Sequence, residues 1–513
     1  MSKARRMFQL FITTLAVLIL PYSYEALTPT RNSEPPPITA IITIKTTPES
    51  VVSVTGFFSR LREEDRRKSF TIATTAAGLS LGERVEGLEL RDPQGNPIAF
   101  RKMGPGEYLA EREINQWSYT IALSSAADPR TAAHASWIKG DVGILMLREI
   151  LPEFGPLRRT SAWINLVSPA GLSVEGLRPL NIALFGGSLP QVPGGKWYGT
   201  DDEAVALLGT GWRNRRIASL PEVELMMSSQ WLFSDEEAER MVSEVYKEYT
   251  KLFRQDPLSG ARISLAKFPR DVKPGDWEAE TRGNNVTIIS SDMPFKTQSL
   301  QRLHEQLRHE LFHLWIPNGV NLTGNYDWFY EGFALYQSLK LAVALNRIRF
   351  EDFLDTLSRA HTIDNAQSQR ISLIQASTNR FGGSNTQVYA RGMLVAFLTD
   401  LTMLERSKGK RSVEDLLKDL YVKHRKPTEP TDGNRAVTEM LKTRADAGSI
   451  VEKYIAGAQK IDWTNELGAV GIEDSDPGPL TSLRVKEKLN GGQKAILDKL
   501  GYNNWRKLSG PSK

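Results

Sequence analysis

The chain has 513 residues, more than one compact core accommodates, and size scaling suggests about three domains. Hydrophobic residues make up 40% and charged residues 24%, an ordinary globular mix that argues against wholesale disorder. The net charge of +5 is too mild and dispersed to argue for nucleic acid, and the absence of cysteine excludes disulfides, iron–sulfur clusters and thiolate ligands. A transition metal would have to be held by histidines and carboxylates.

Lys3, Arg5 and Arg6 form a basic start, and Met7 to Leu20 is an uncharged, largely apolar run of signal-peptide length. It is short for a membrane span, and Pro21 ends it. Ala26 offers a cleavage position, although Tyr24 stands where a small residue is preferred. Residues 1–26 are therefore read as a signal peptide or signal anchor, and the polar, proline-rich residues 27–37 as a linker. Export is expected, to the periplasm, the exterior or an N-terminally anchored position.

From Ile38 to about Trp197 the texture is β. "ITAIITIKT", "GEYLAEREI", "WSYTIALSS", "DVGILMLREI" and "SAWINLVS" are strand-like runs separated by turn signals. Residues 38–200 are expected to form an antiparallel β-sandwich with a structural role. After Pro221 the texture becomes mixed. Ser234 with Glu237 makes a capping box ahead of a helical period, and "ARISLAKFP" and "NNVTIISSD" read as strands. Long helices are expected over about Thr297 to Trp315 and Tyr326 to Asn346, followed by several more. The expected layout is a multidomain α/β plus all-β fold: an N-terminal β-sandwich, a catalytic domain over 201–346, a helical domain over 347–473 and a tail over 474–513. A short amphipathic helix near Gln493 to Leu500 is the tail's one expected element.

The segment "RHELFHLW" contains H-E-x-x-H as His309, Glu310 and His313. On a helix, positions i and i+4 share a face, so both imidazoles can reach one ion, while Glu310 points to the flank where it can touch the attacking water. Leu300, Leu303, Leu307, Leu311 and Leu314 form a stripe that docks the helix. The histidines lie on roughly the opposite face and need a second environment. Glu331 follows in "WFYEGFALY", where a buried carboxylate is costly unless paired or bound to metal. Two histidines and a carboxylate are a common catalytic zinc set. Tyr389 stands at the start of the apolar helix "QVYARGMLVAF" and carries little meaning alone.

Taken together, H-E-x-x-H, the Trp-containing stretch and x-E-G-F-A resemble the gluzincin zinc aminopeptidases. "VYARGMLVAFLTDLTMLERSKGKRSVEDLLKDLY" is most similar to the glycyl aminopeptidase family, and the likeness covers roughly residues 220–475. The resemblance implies a thermolysin-like catalytic domain, His309, His313 and Glu331 as zinc ligands, Glu310 as general base and Tyr389 as oxyanion stabiliser. Two departures stand out. The family's Gly-Gly-x-Glu-His-like segment corresponds to "DWEAETRGNNVTII", with Glu278-Ala279 in place of the glycines and Thr281 in place of the histidine. Glu280 matches the glutamate and is a candidate for binding the substrate's amino terminus. No segment after the helical end corresponds to the family's C-terminal PDZ domain. A peptide or protein substrate is expected along an edge strand near Val286 to Ile289, cleaved by an aminopeptidase or, given the lost glycines, an endopeptidase. A non-catalytic binding protein on a peptidase scaffold is the third reading.

The export reading has a direct check. A reporter fused to the C-terminus should be active outside the cytoplasm, and activity confined to the cytoplasm would refute it.

Overall fold

The computed structural model describes residues 38–504, apart from 59–67, 73–74, 77–78, 125–127, 154–160, 181–188, 190–191, 202, 426–428 and 475–479. The signal and linker readings of residues 1–37 therefore lie outside the described residues. Among the described residues no helix is long and apolar enough to cross a membrane.

The first sheet follows from the alternation in "ITAIITIK", which buries Ile38, Ala40, Ile42 and Ile44 on one face. Its strand order is 195–201, 161–167, 38–45, 51–58, 116–122 and 85–91. The expectation of a purely antiparallel unit needs correcting, because Ile38–Lys45 pairs parallel with Ser161–Val167. A parallel pair needs a long crossover, and the chain makes it by running through the other sheets of this region before returning.

A second sheet has the order 137–139, 142–146, 205–208 and 174–175. Its strands "VGILM" and "VALL" are continuous apolar runs because both faces are covered. Ile138, Leu145, Ala206 and Leu208 join the core of the first sheet. Trp137, Ile144, Met146, Val205 and Leu207 pack with Met226, Ala266 and Ile289 of the third sheet. The expected boundary near residue 200 is thus too early, since Val205–Leu208 belongs by pairing to Val142–Met146.

The third sheet carries the cleft. Its order is 212–216, 223–228, 261–266, 285–290 and 277–282. The strands at 223–228, 261–266 and 285–290 run parallel, and Trp277–Arg282 pairs antiparallel outside them. The strand placed at the edge by the sequence, Val286 to Ile289, is instead interior and paired on both sides. Among the described residues the edge strand on this side of the sheet is Trp277–Arg282, and Trp212–Arg216 forms the opposite edge.

Helix Asp235–Phe253 starts on the expected box, in which the Ser234 amide donates to Glu237 Oε2 at 2.8 Å and the Glu237 amide to Ser234 Oγ at 3.3 Å. It packs on the motif helix, Lys296–Glu310, which tightens into a 3-10 turn over Leu311–Leu314. Phe253 stacks on Trp315 with ring centroids 5.4 Å apart, and Tyr249 meets Phe312 edge-on at 5.8 Å. The ligand helix, Asp327–Ala344, lies against Gly392–Arg406, here called the tyrosine helix, and Gln387–Arg391 forms a wide π-type turn before it. A buried ionic knot fixes this layer. Lys340 Nζ lies 2.9 Å from Asp400 and 3.1 Å from Glu414, and Tyr336 Oη donates to Asp400 at 2.8 Å.

One hydrophobic core runs from Ile217 to Leu500. The expected catalytic and helical domains at 201–346 and 347–473 therefore share a core. The expected tail joins it too: Leu483–Val485 pairs with Ile472–Asp474, and Ile496, Leu497 and Leu500 are buried.

Candidate active site

The leucine stripe does what its spacing requires. Leu303, Leu307, Leu311 and Leu314 are buried, with Leu300 half-buried at the margin. The opposite face turns His309 and His313 toward a cleft of about 1160 Å³. Their Nε2 atoms stand 3.3 Å apart even though the α-helix tightens between them. His313 Nδ1 lies 3.1 Å from the Ile316 carbonyl, which can only accept. Nδ1 therefore carries a proton, and Nε2 is the nitrogen aimed into the site, with a lone pair there when the ring is neutral.

Glu331 arrives from the ligand helix. Its Oε2 lies 3.2 Å from His309 Nε2 and 3.6 Å from His313 Nε2. The ligand atoms of the three residues fall within 4.8 Å of one another. Glu331 Oε2 is buried and has no hydrogen-bond partner among the described residues, nor has His309 Nδ1. A buried carboxylate oxygen facing two imidazole nitrogens needs a cation or a proton in the space between them. Protons alone respond accordingly. Burial opposes charge on His313, but the Glu331 carboxylate 3.6 Å away outweighs it and raises the imidazole to about 9. Burial likewise opposes charge on Glu331, yet Arg380, followed by the two histidines, holds its carboxyl well below the usual range. The donor set and its demand for positive charge fit a metal ion.

Glu310 is buried beside this group and stands apart from the three converging atoms. The Thr281 hydroxyl, on the edge strand, lies 2.7 Å from Glu310 Oε2 and 3.0 Å from its carbonyl oxygen. Strand alternation sends Ala279 and Thr281 toward the helices, and Glu278, Glu280 and Arg282 toward the N-terminal β region. Glu280 accordingly lines the cleft, with Oε2 2.5 Å from His134 Nδ1 and Oε1 3.5 Å from Arg282 Nε. Burial raises its carboxyl, but the charge and hydrogen bond of His134, then Arg282, hold it well below the ordinary value. Tyr389 lines the same cleft from the turn before the tyrosine helix.

Two glycines set the distance between Glu331 and Tyr389. A Cβ on Gly332 would lie 2.4 Å from the Gly392 carbonyl carbon, and one on Gly392 would lie 2.5 Å from the Trp328 carbonyl oxygen. Backbone meets backbone at this crossing, which only glycine permits.

Arg380, His134 and the Thr281–Glu310 contact were not foreseen from the sequence. Arg380 Nη1 lies 2.9 Å from Asp327 Oδ1 and Nη2 3.0 Å from Glu331 Oε1, and Nη2 also donates to Tyr389 Oη. No local pattern in "TNRFGGSN" marks it. His134 is one of six histidines and stands alone in a β region expected to be structural.

No family model matches the chain, and no curated protein matches it. Among solved structures it is similar to an aminopeptidase N family protein from Idiomarina loihiensis. The TM-score is 0.64 at 14% identity, over 85% of this chain and 78% of that one. The chain therefore shares a mixed α/β fold with that protein.

The convergence of two imidazoles and one carboxylate has a measurable consequence. Purified protein should carry about one equivalent of divalent metal, and His313→Ala should lose most of it. Unchanged metal content in that variant would exclude this site.

Proposed function

We propose that the protein is a zinc metallopeptidase of the gluzincin type, similar in its motifs to the glycyl aminopeptidases. The observation that carries this reading is the meeting of His309 Nε2, His313 Nε2 and Glu331 Oε2 in a cleft, with Glu310 on their flank. His309, His313 and Glu331 would hold the zinc, which supplies Lewis acidity toward the scissile carbonyl and the attacking water.

The chain's own residues account for the remaining chemistry. The exposed side of Trp277–Arg282 offers backbone groups to an extended peptide, which adds as a further strand. Glu310 takes the water's proton and returns it to the leaving amine. Thr281 keeps the Glu310 carboxylate in one rotamer. Tyr389 donates its hydroxyl proton to the developing oxyanion. The N-terminal basic and apolar run supports an exported enzyme, periplasmic, extracellular or anchored.

Aminopeptidase action requires an anion for the substrate ammonium, and Glu280 is the candidate. A second reading, endopeptidase action, is favoured by its surroundings. Glu280 is already in contact with His134 and Arg282, so an incoming ammonium must displace a partner.

The decisive substitution is Glu310→Gln, which keeps volume and hydrogen bonding but cannot accept a proton. Zinc content and folding should survive while kcat falls by about 10²–10⁴-fold. In the same assay, Glu280→Ala should raise KM for free-amino peptides and spare amino-blocked ones if Glu280 anchors the ammonium. Normal turnover by a folded, zinc-loaded Glu310→Gln protein would defeat the proposed mechanism, and equal effects of Glu280→Ala on both substrates would remove Glu280 from the anchor.

A further inference from the structure

Arg380 is a partly buried charged side chain of the cleft, next to the metal-facing carboxylate, that the proposed chemistry leaves unused. It lies in the turn between helix Leu373–Thr378 and the tyrosine helix, and its side chain is 14% exposed. Its guanidinium touches three groups. Nη1 meets Asp327 Oδ1 at 2.9 Å, Nη2 meets Glu331 Oε1 at 3.0 Å, and Nη2 donates to Tyr389 Oη. It also lies over the Tyr389 ring, 5.1 Å from the centroid. Asp327 and Glu331 are four residues apart on one helix and so share a face, which lets one planar fork engage both.

The chemistry of the three contacts is asymmetric. Guanidinium carries donors and no acceptor. Toward Arg380, the Tyr389 oxygen can therefore only accept, and its own proton must be donated in another direction. Tyr389 lines the cleft, so the open direction is the substrate's. The carboxylate is sorted in the same way. Arg380 occupies Glu331 Oε1, leaving Oε2 as the oxygen that faces the two histidines. Asp327 holds the far arm of the fork and keeps the guanidinium from swinging into the metal position.

We infer that Arg380 is a positioning residue, which turns the Tyr389 hydroxyl proton toward substrate and selects Glu331 Oε2 as the metal-facing oxygen. This rests on the zinc-peptidase reading above. A competing role is capture of a substrate carboxylate, but the fork is already engaged by two protein carboxylates and a phenol.

A double-mutant cycle on zinc-saturated protein tests the inference, using Arg380→Met, which keeps length and removes every donor. With Tyr389 present, Arg380→Met should lower kcat by about 10²-fold, the scale of one lost oxyanion donor, and leave KM within about twofold. In a Tyr389→Phe background it should lower kcat little further, because its effect passes through the phenol. Zinc affinity, read by chelator competition without any substrate, should fall about 10–100-fold in both backgrounds. Arg380→Lys should recover part of each loss and serves as the readout if the Met variant melts early.

Full multiplication of the two kcat losses would overturn the inference, as would unchanged zinc affinity. A KM rise confined to peptides with a free terminal carboxylate would make Arg380 a substrate ligand and overturn it too. If Tyr389→Phe alone leaves kcat intact, the peptidase reading of Tyr389 fails and takes that half of the inference with it. The zinc measurement then still decides the Glu331 half.

Discussion

Two helices cross at Gly332 and Gly392 with backbone against backbone, and the geometry of the cleft follows from that contact. Any Cβ there would sit 2.4–2.5 Å from a main-chain atom of the neighbouring helix, closer than packing permits. Glu331 precedes one glycine and Tyr389 lies a turn before the other. The crossing therefore brings a carboxylate from one helix and a phenol from the next onto the same side of the cleft. The Lys340–Asp400–Glu414 knot further along pins the same pair of helices, so the crossing is held at two points.

Charge balance explains why these polar groups tolerate burial. Asp327, Glu331 and Glu310 are all buried near the cleft, and isolated carboxylates there would be costly. Arg380 answers Asp327 and one oxygen of Glu331. The other oxygen faces two imidazoles and is left short of positive charge. His313 responds by holding a proton to about 9, which marks the place a divalent ion would take with release of that proton. Glu310 accepts a hydrogen bond from the Thr281 hydroxyl, a neutral donor. Across the cleft, Glu280 is engaged by His134 and Arg282, so this wall presents a paired site rather than a bare anion.

The parts legible in the sequence are those set by short-range periodicity. The i, i+4 histidines, the leucine stripe and the Ser234–Glu237 box each act within a few residues of chain. The parts that were not legible depend on contacts between distant segments. His134 reaches Glu280 from another sheet, and Arg380 reaches three groups from a loop with no repeating pattern. The misplaced edge strand is instructive. "NVTIIS" is uncharged and buried on both faces, which suits an interior strand, whereas "WEAETR" carries the charges expected of an edge. The domain limits shifted for a related reason: "VALL" has no pairing information of its own, and the apolar residues near Leu497 fill a core whose remainder lies far upstream.

A divalent metal would lie between the motif helix and the ligand helix, with Arg380 keeping its place beside it. Crystals of the protein loaded with zinc, measured at the zinc absorption edge, test this most directly. The predicted result is one anomalous peak about 2.0–2.2 Å from His309 Nε2, His313 Nε2 and Glu331 Oε2, with Arg380 still on Glu331 Oε1. An empty site in zinc-loaded crystals, or a peak elsewhere with the Arg380 guanidinium filling this position, would contradict it.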